Sequence, residues 1–186
     1  MKRIAMILSL SLVLASLAMA ETLAEWTFAG RTSPHETVNN YVSPKSGAKA
    51  AFSVDGEAVF PEGTGVFKAV VMAPSSRKND SDIQLWCFTK KAISQGGKYR
   101  ISFWAKSTQA VKAKAVFILS EAPYSQYAKP GESEFEIGSE WKLIAFNLEC
   151  VKGTEGKMSR TPGFFLGNVP ADTTILLANI KIESAE

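Results

Sequence analysis

Histidine and cysteine are scarce in this chain: His35 stands alone, and Cys87 and Cys150 are the only thiols among 186 residues. With no second imidazole and no cysteine pair at ligand spacing, a Cys/His zinc site and a Cys–His nucleophile are both excluded. His35 lies in the Pro-flanked stretch RTSPHETV, and a triad built on Ser33 and His35 lacks the Gly-x-Ser-x-Gly elbow that presents such a nucleophile. The histidine therefore reads as a loop residue. Phosphate-cradling glycines are missing as well, because GTEGKMS has neither the preceding glycine spacing nor a strand-to-helix setting. The acidic residues of KNDSD do not have the spacing of calcium ligands. No metal and no cofactor are expected.

An excess of one charge is also absent. The formal net charge is +3, and two of the 21 basic residues, Lys2 and Arg3, belong to an opening segment that reads as a leader. Without them 19 basic residues face 18 acidic ones, and the basic residues are scattered, so no phosphate-tracking stripe forms and nucleic acid is not an expected partner. The leader, MKRIAMILSLSLVLASLAMA, has two cations, a short apolar run and Ala18-x-Ala20, the layout of a secretory signal peptide over residues 1–20. Its apolar run is too short for a membrane span, so no membrane insertion is expected. The expectation is a secreted or periplasmic monomer, with residues 21–186 forming one domain large enough to bury a core.

Helical periodicity is the remaining absence. Short runs rich in Val, Ile, Phe, Tyr, Trp and Thr alternate with Gly, Pro, Asn, Asp and Ser, which predicts an all-β chain of nine or ten strands in two packed sheets or a barrel. In AAFSVDGEAVF, Asp55-Gly56 carries the two-residue hairpin signal. Alternation assigns Ile144, Phe146, Leu148 and Cys150 to the core in WKLIAFNLEC, and Leu176, Ala178, Ile180 and Ile182 in TTILLANIKIE. In DIQLWCF it groups Ile83, Leu85 and Cys87. Both cysteines thus face inward, compatible with a Cys87–Cys150 disulfide or with two inert thiols.

In KYRISFWAKS the same alternation buries Tyr99, Ile101, Phe103 and Ala105, leaving Trp104 outside with Arg100, Ser102 and Lys106. A ring among polar neighbours on an outer sheet face suits sugar binding, because it stacks on the apolar C–H face of a pyranose while its neighbours bond the hydroxyls. Packing under a loop or in a second small core is the alternative. Gln84, Trp86 and Phe88 also share an outward face. If SQGG closes a simple hairpin, Trp86 meets Trp104 diagonally; if the two strands enter different sheets, the rings do not meet.

DIQLWCFTKKAISQGGKYRISFWAKSTQ, followed by EWKLIAFNLE, PGFFLGN and ILLANIKIE, resembles the jelly-roll carbohydrate-binding modules appended to xylanases and glucanases, within the galactose-binding-like superfamily. The resemblance spans residues 48–183. It implies a two-sheet antiparallel β-sandwich of jelly-roll type and a polysaccharide or oligosaccharide ligand. Trp86 and Trp104 would be the stacking platforms, Gln84 and Arg100 the hydroxyl partners, and Tyr124 and Tyr127 the rim contacts or the packing that holds their loop. Where the family often has Asp in the last strand this chain has Asn179, which weakens the case for a metal there.

Catalysis is not expected. Alternation puts Glu132, Glu134 and Glu136 of GESEFEIGSE on one solvated face, without the aromatic neighbours that would shield a pair of carboxylates about 5 Å apart. Two readings follow: a secreted, non-catalytic glycan-binding module, or a structural or protein-binding sandwich of the cell envelope with no sugar ligand.

Overall fold

The computed structural model describes residues 20–34, 37–154 and 157–185; the leader, apart from Ala20, and His35 lie outside the described residues. Among the described residues twelve strands run in chain order: β1 (Thr22–Trp26), β2 (Val38–Val42), β3 (Lys49–Phe60), β4 (Gly63–Ala73), β5 (Ile83–Thr89), β6 (Lys98–Ser107), β7 (Val111–Leu119), β8 (Ala128–Lys129), β9 (Glu132–Ile137), β10 (Lys142–Cys150), β11 (Ser159–Phe165) and β12 (Thr173–Ala185). A 3₁₀ turn, Asp80–Asp82, precedes β5. Short β1, β2 and β8 are the strands that sequence alternation does not reveal.

The strands form two antiparallel sheets. The larger has the order β3-β4-β12-β6-β10-β8, with β1 also paired to β12, and the smaller the order β2-β5-β11-β7-β9. Consecutive β5 and β6 therefore belong to different sheets. SQGG does not close a hairpin between them. It docks on the end of β10, with Gly96 N–H donating to the Cys150 carbonyl at 2.7 Å and Cys150 N–H to the Gly97 carbonyl at 2.9 Å. Just before it, fully buried Ile93 pins the crossing segment into the core.

The core lies between the inner faces. Ile83, Leu85, Cys87 and Phe164 from the smaller sheet meet Ile101, Phe103 and Ala105 from the larger, with Phe103 edge-on to Phe164 at 5.0 Å between centroids and to Phe135 at 5.3 Å. Such tilted pairs add to the burial free energy because the positive ring edge meets the negative face. The core alternation predicted for β5, β6 and β10 is present.

Two expectations about the strands are corrected. Asp55-Gly56 is not a hairpin turn. β3 runs on to Phe60, and the reversal into β4 falls at Pro61-Glu62, while residues 55–59 form a bulge. The Asp55 carboxylate accepts from the Glu57 and Ala58 amides at 3.1 and 3.0 Å, which uses the turn-forming chemistry of Asp inside a strand. Gly56 serves close approach, since a Cβ there would lie 2.5 Å from the Arg31 amide nitrogen. In β12, a bulge between Ala178 and Lys181, with Asn179 at φ +46, changes the parity partway along. Ile175, Leu177, Ile180 and Ile182 face the main core, whereas Leu176 and Ala178 pack on the opposite side of the sheet.

Of the two readings of the inward-facing cysteines, a bridge or two inert thiols, the structure has the second: Cys87 and Cys150 are both free and both buried. Cys87 belongs to the smaller sheet and Cys150 to the larger. Shared inward parity puts two residues inside a sandwich, but packed sheets stand about 10 Å apart, beyond the usual Cα separation of about 4.4–6.8 Å for a disulfide.

Candidate functional site

On β5 the inward Ile83, Leu85 and Cys87 leave Gln84, Trp86 and Phe88 on the outer face of the smaller sheet. Register carries this face across the strands. Trp86 stands opposite Asn39 of β2 on one side and Gly163 of β11 on the other, and Gly163 in turn opposes Val116 of β7. Gly163 keeps the floor low: a Cβ there would come within 2.9 Å of Val116 Cγ2 and 3.6 Å of Trp86 Cδ1. The result is an open groove of about 590 Å³, within the range of ligand sites, with Tyr41, Trp86, Tyr124 and Arg160 among its walls and Gln84 and Gln126 among its polar groups.

Trp86 is held in orientation. Its indole Nε1–H donates to Gln84 Oε1 at 2.7 Å, and Gln84 Nε2 donates to the Ser81 carbonyl at 2.5 Å. Gln84 thus positions the indole, and both ends of its amide are already engaged. Tyr41 lies nearly parallel to Trp86, with ring centroids 6.3 Å apart and 11° between planes, and Phe88 meets it edge-on at 6.0 Å. The Arg160 guanidinium sits 3.8 Å from the centre of the Trp86 ring and 5.0 Å from that of Tyr124. Tyr124 is held at φ +53, an uncommon conformation for a bulky residue. With Arg160 against Trp86, the freest rings in the groove are Tyr41, 41% exposed, and Tyr124, 53% exposed.

Electrostatics around Arg160 are one-sided. Burial lowers its normally very high pKa, although a guanidinium stays protonated in any protein setting. Its Nε is buried without a hydrogen-bond partner among the described residues. Glu132, at the far side of the groove, is tied to Lys114 at 3.4 Å, and Lys114 also pairs with Asp80 at 3.0 Å. Farther along β9, Glu136 pairs with Lys112 at 2.8 Å. Glu132, Glu134 and Glu136 thus lie along an exposed strand, with lysines bridging two of them.

The remaining candidates lie elsewhere. Trp104 and Arg100 are on the outer face of the larger sheet, across the sandwich from Trp86. Trp104 belongs to a second small apolar cluster with Phe60, Val66, Ala178, Leu176 and Trp141, and its buried Nε1 has no hydrogen-bond partner among the described residues. It packs in this cluster, which draws Phe60 from the end of β3 and Val66 from the start of β4. Tyr127 is not a rim contact. It is fully buried, its hydroxyl bonded to Thr161 Oγ1, and burial pushes its pKa up. A hydroxyl that reaches a partner lets tyrosine serve as core.

A larger hollow, about 710 Å³, borders Trp141 at the β9–β10 connection. Trp141 is its one aromatic, and that ring already has Phe60 edge-on at 6.2 Å and Lys106 at 5.5 Å. It offers no row of rings, so the smaller-sheet groove is the better binding geometry. Sequence reading did not find Tyr41, Gln126 or Arg160. Period-two reading of TVNNYV would have put Tyr41 outward, but Pro162 and Gly163 break the alternation that could have oriented Arg160.

Among the described residues no three His, Cys, Asp or Glu side chains gather as metal ligands, and no helix is long and apolar enough to cross a membrane.

Solved structures of carbohydrate-binding modules share this two-sheet sandwich fold. A CBM4 module superposes with a TM-score of 0.63 at 16% identity, over 80% of this chain and 86% of its own. The N-terminal cellulose-binding domain of Cellulomonas fimi β-1,4-glucanase C gives 0.60 at 18%, over 90% and 99%. The CBM22-1 xylan-binding domain of Paenibacillus barcinonensis Xyn10C gives 0.57 at 9%, over 90% and 96%. At these identities the likeness is one of fold. No protein-family model and no curated protein sequence matches the chain.

Proposed function

We propose that this chain is an exported, non-catalytic glycan-binding module that holds a polysaccharide or oligosaccharide on the outer face of its smaller sheet. The observation that carries the reading is the grouping of Tyr41, Trp86 and Tyr124 around one open groove. Rings there offer apolar faces to sugar C–H groups, while Gln126 and Arg160 supply hydrogen-bond donors for hydroxyls. The leader over residues 1–20 supports export. The scattered, lysine-paired glutamates of β9 support the absence of catalysis, since glycoside hydrolysis needs two carboxylates flanking one bond.

Affinity electrophoresis against a polysaccharide panel, followed by titration calorimetry on the best ligand, tests the proposal. Tyr41→Ala and Trp86→Ala are each expected to weaken binding by about 1–3 kcal/mol, the cost of losing an anchoring ring. Undetectable binding across the panel, or affinity unchanged in both variants, overturns it.

A further inference from the structure

We propose that the glycan taken by this face carries carboxylates, as a hexuronate does, and that Arg160 reads them. The inference rests on the reading of this groove as a sugar site and names the class of sugar. Arg160 is a cation partly withdrawn from water into a groove, flanked by Trp86 at 3.8 Å and Tyr124 at 5.0 Å. Ring faces stabilise a cation only in part, and its buried Nε has no hydrogen-bond partner among the described residues. Other half-buried or buried charges on this side of the molecule are matched: Lys114 with Asp80 and Glu132, and Asp82 with Arg77. Among the described residues no carboxylate pairs with Arg160. Glu132, the acid that lines the same groove, is committed to Lys114.

A neutral glycan offers hydroxyls, which leave this charge uncompensated. A planar carboxylate matches the guanidinium fork with two parallel hydrogen bonds, stronger than neutral ones and directional enough to select a sugar. The two rings hold the fork beside the groove, so little conformational entropy is lost when a ligand binds. Arg160 rests against Trp86, so ring and cation present one combined surface: the apolar face of a pyranose against Tyr41 or Tyr124, and its carboxylate on the guanidinium.

The test compares each of three acidic probes, oligogalacturonate, oligo-alginate and a glucuronate-substituted xylo-oligosaccharide, with the same oligosaccharide after its carboxyls are reduced to primary alcohols. For at least one pair, the full chain is expected to bind the acidic form about tenfold or more tightly at 0.15 M salt. Arg160→Gln should abolish that preference, bringing the affinity for the acidic form down to that for the reduced form, with an unchanged melting temperature showing that the variant is folded. The wild-type comparison does not depend on any variant folding. Equal wild-type affinity for acidic and reduced forms overturns the inference and leaves the glycan-binding proposal standing. A preference that survives in Arg160→Gln removes Arg160 from the role and overturns the inference as stated. Tighter binding of a sulfated oligosaccharide than of any carboxylate probe also overturns it. No binding of any form, acidic or neutral, overturns both proposals.

Discussion

Two tryptophans illustrate how residues of one type take different roles. Trp86 is fixed by the Gln84 amide and flanked by Tyr41 and Arg160 in an open groove, so under the proposed function its truncation is expected to act on ligand binding. Trp104 fills space beneath Phe60 and Val66, so truncating it acts on the fold. Trp104→Ala is expected to lower stability by about 2–3 kcal/mol, less than the ~3–5 kcal/mol of a fully buried ring because Trp104 is half-buried. Glycan affinity should not change. Chemical denaturation and calorimetry on the same preparation check this, and a loss of affinity with an unchanged midpoint would return Trp104 to the binding surface. Both rings point outward by alternation. What separates them is whether another element covers that outer face.

At the scale of elements, the β4–β5 connection carries a buried carboxylate, that of Asp82. Asp82, at the end of the 3₁₀ turn, is buried and accepts from Arg77 Nη2 at 2.5 Å, Arg77 Nε at 3.2 Å and Ser75 Oγ at 2.5 Å. The hydrogen bonds from Arg77 hold the Asp82 carboxyl below its ordinary pKa, against the opposing effect of burial, with Ser75 adding to them. The folded state therefore binds this proton more weakly than the unfolded chain does. The stabilisation is complete above the ordinary Asp value near pH 4 and is lost as pH falls from there through the lower folded value. Thermal melts are expected to show wild-type Tm falling below about pH 4, and Asp82→Asn should flatten that fall while lowering Tm at pH 7. Parallel profiles for the two proteins would show that other carboxylates carry the acid sensitivity. Connections of this kind escape sequence reading. KNDSD looks like an ordinary surface loop, and only tertiary contacts make Asp82 interior, its carbonyl accepting from the Ser43 amide at 2.8 Å and its carboxylate from Ser75 Oγ.

For the whole molecule, the two sheets enclose thiols that have no partner. Burial pushes the Cys150 thiol up to about 11 and raises that of Cys87 further, which keeps both in the unreactive thiol form at neutral pH. Native protein should react slowly with a thiol reagent, and protein unfolded without reductant should release two reactive thiols. A count of zero after unfolding would mean that the cysteines do bridge and that the sheets approach more closely at that point.

Alternation, a property of neighbouring residues, was enough for the faces of β5 and β6, with Ile83, Leu85 and Cys87 inward against Gln84 and Trp86 and Tyr99, Ile101 and Phe103 inward against Arg100 and Trp104, but not for short β1, β2 and β8 or for the bulged β3 and β12. The same pattern carried the all-β class, while the choice of a two-sheet sandwich over a barrel rested on the family resemblance. Only the tertiary structure decided which sheet each strand joins, since that depends on where the chain crosses over, and the 90–97 segment carries it from one layer to the other. That crossing put Trp86 and Trp104 on opposite sides of the molecule and kept Cys87 from Cys150. It also decided the fate of the aromatics in SEAPYSQYAKPG, where Tyr124 reaches the groove and Tyr127 the core, three residues apart in a loop without alternation to guide the reading. The groove draws Tyr41, Trp86, Tyr124 and Arg160 from four separate stretches of chain. Such a surface has no local signature, because its geometry exists only once the register between strands is set.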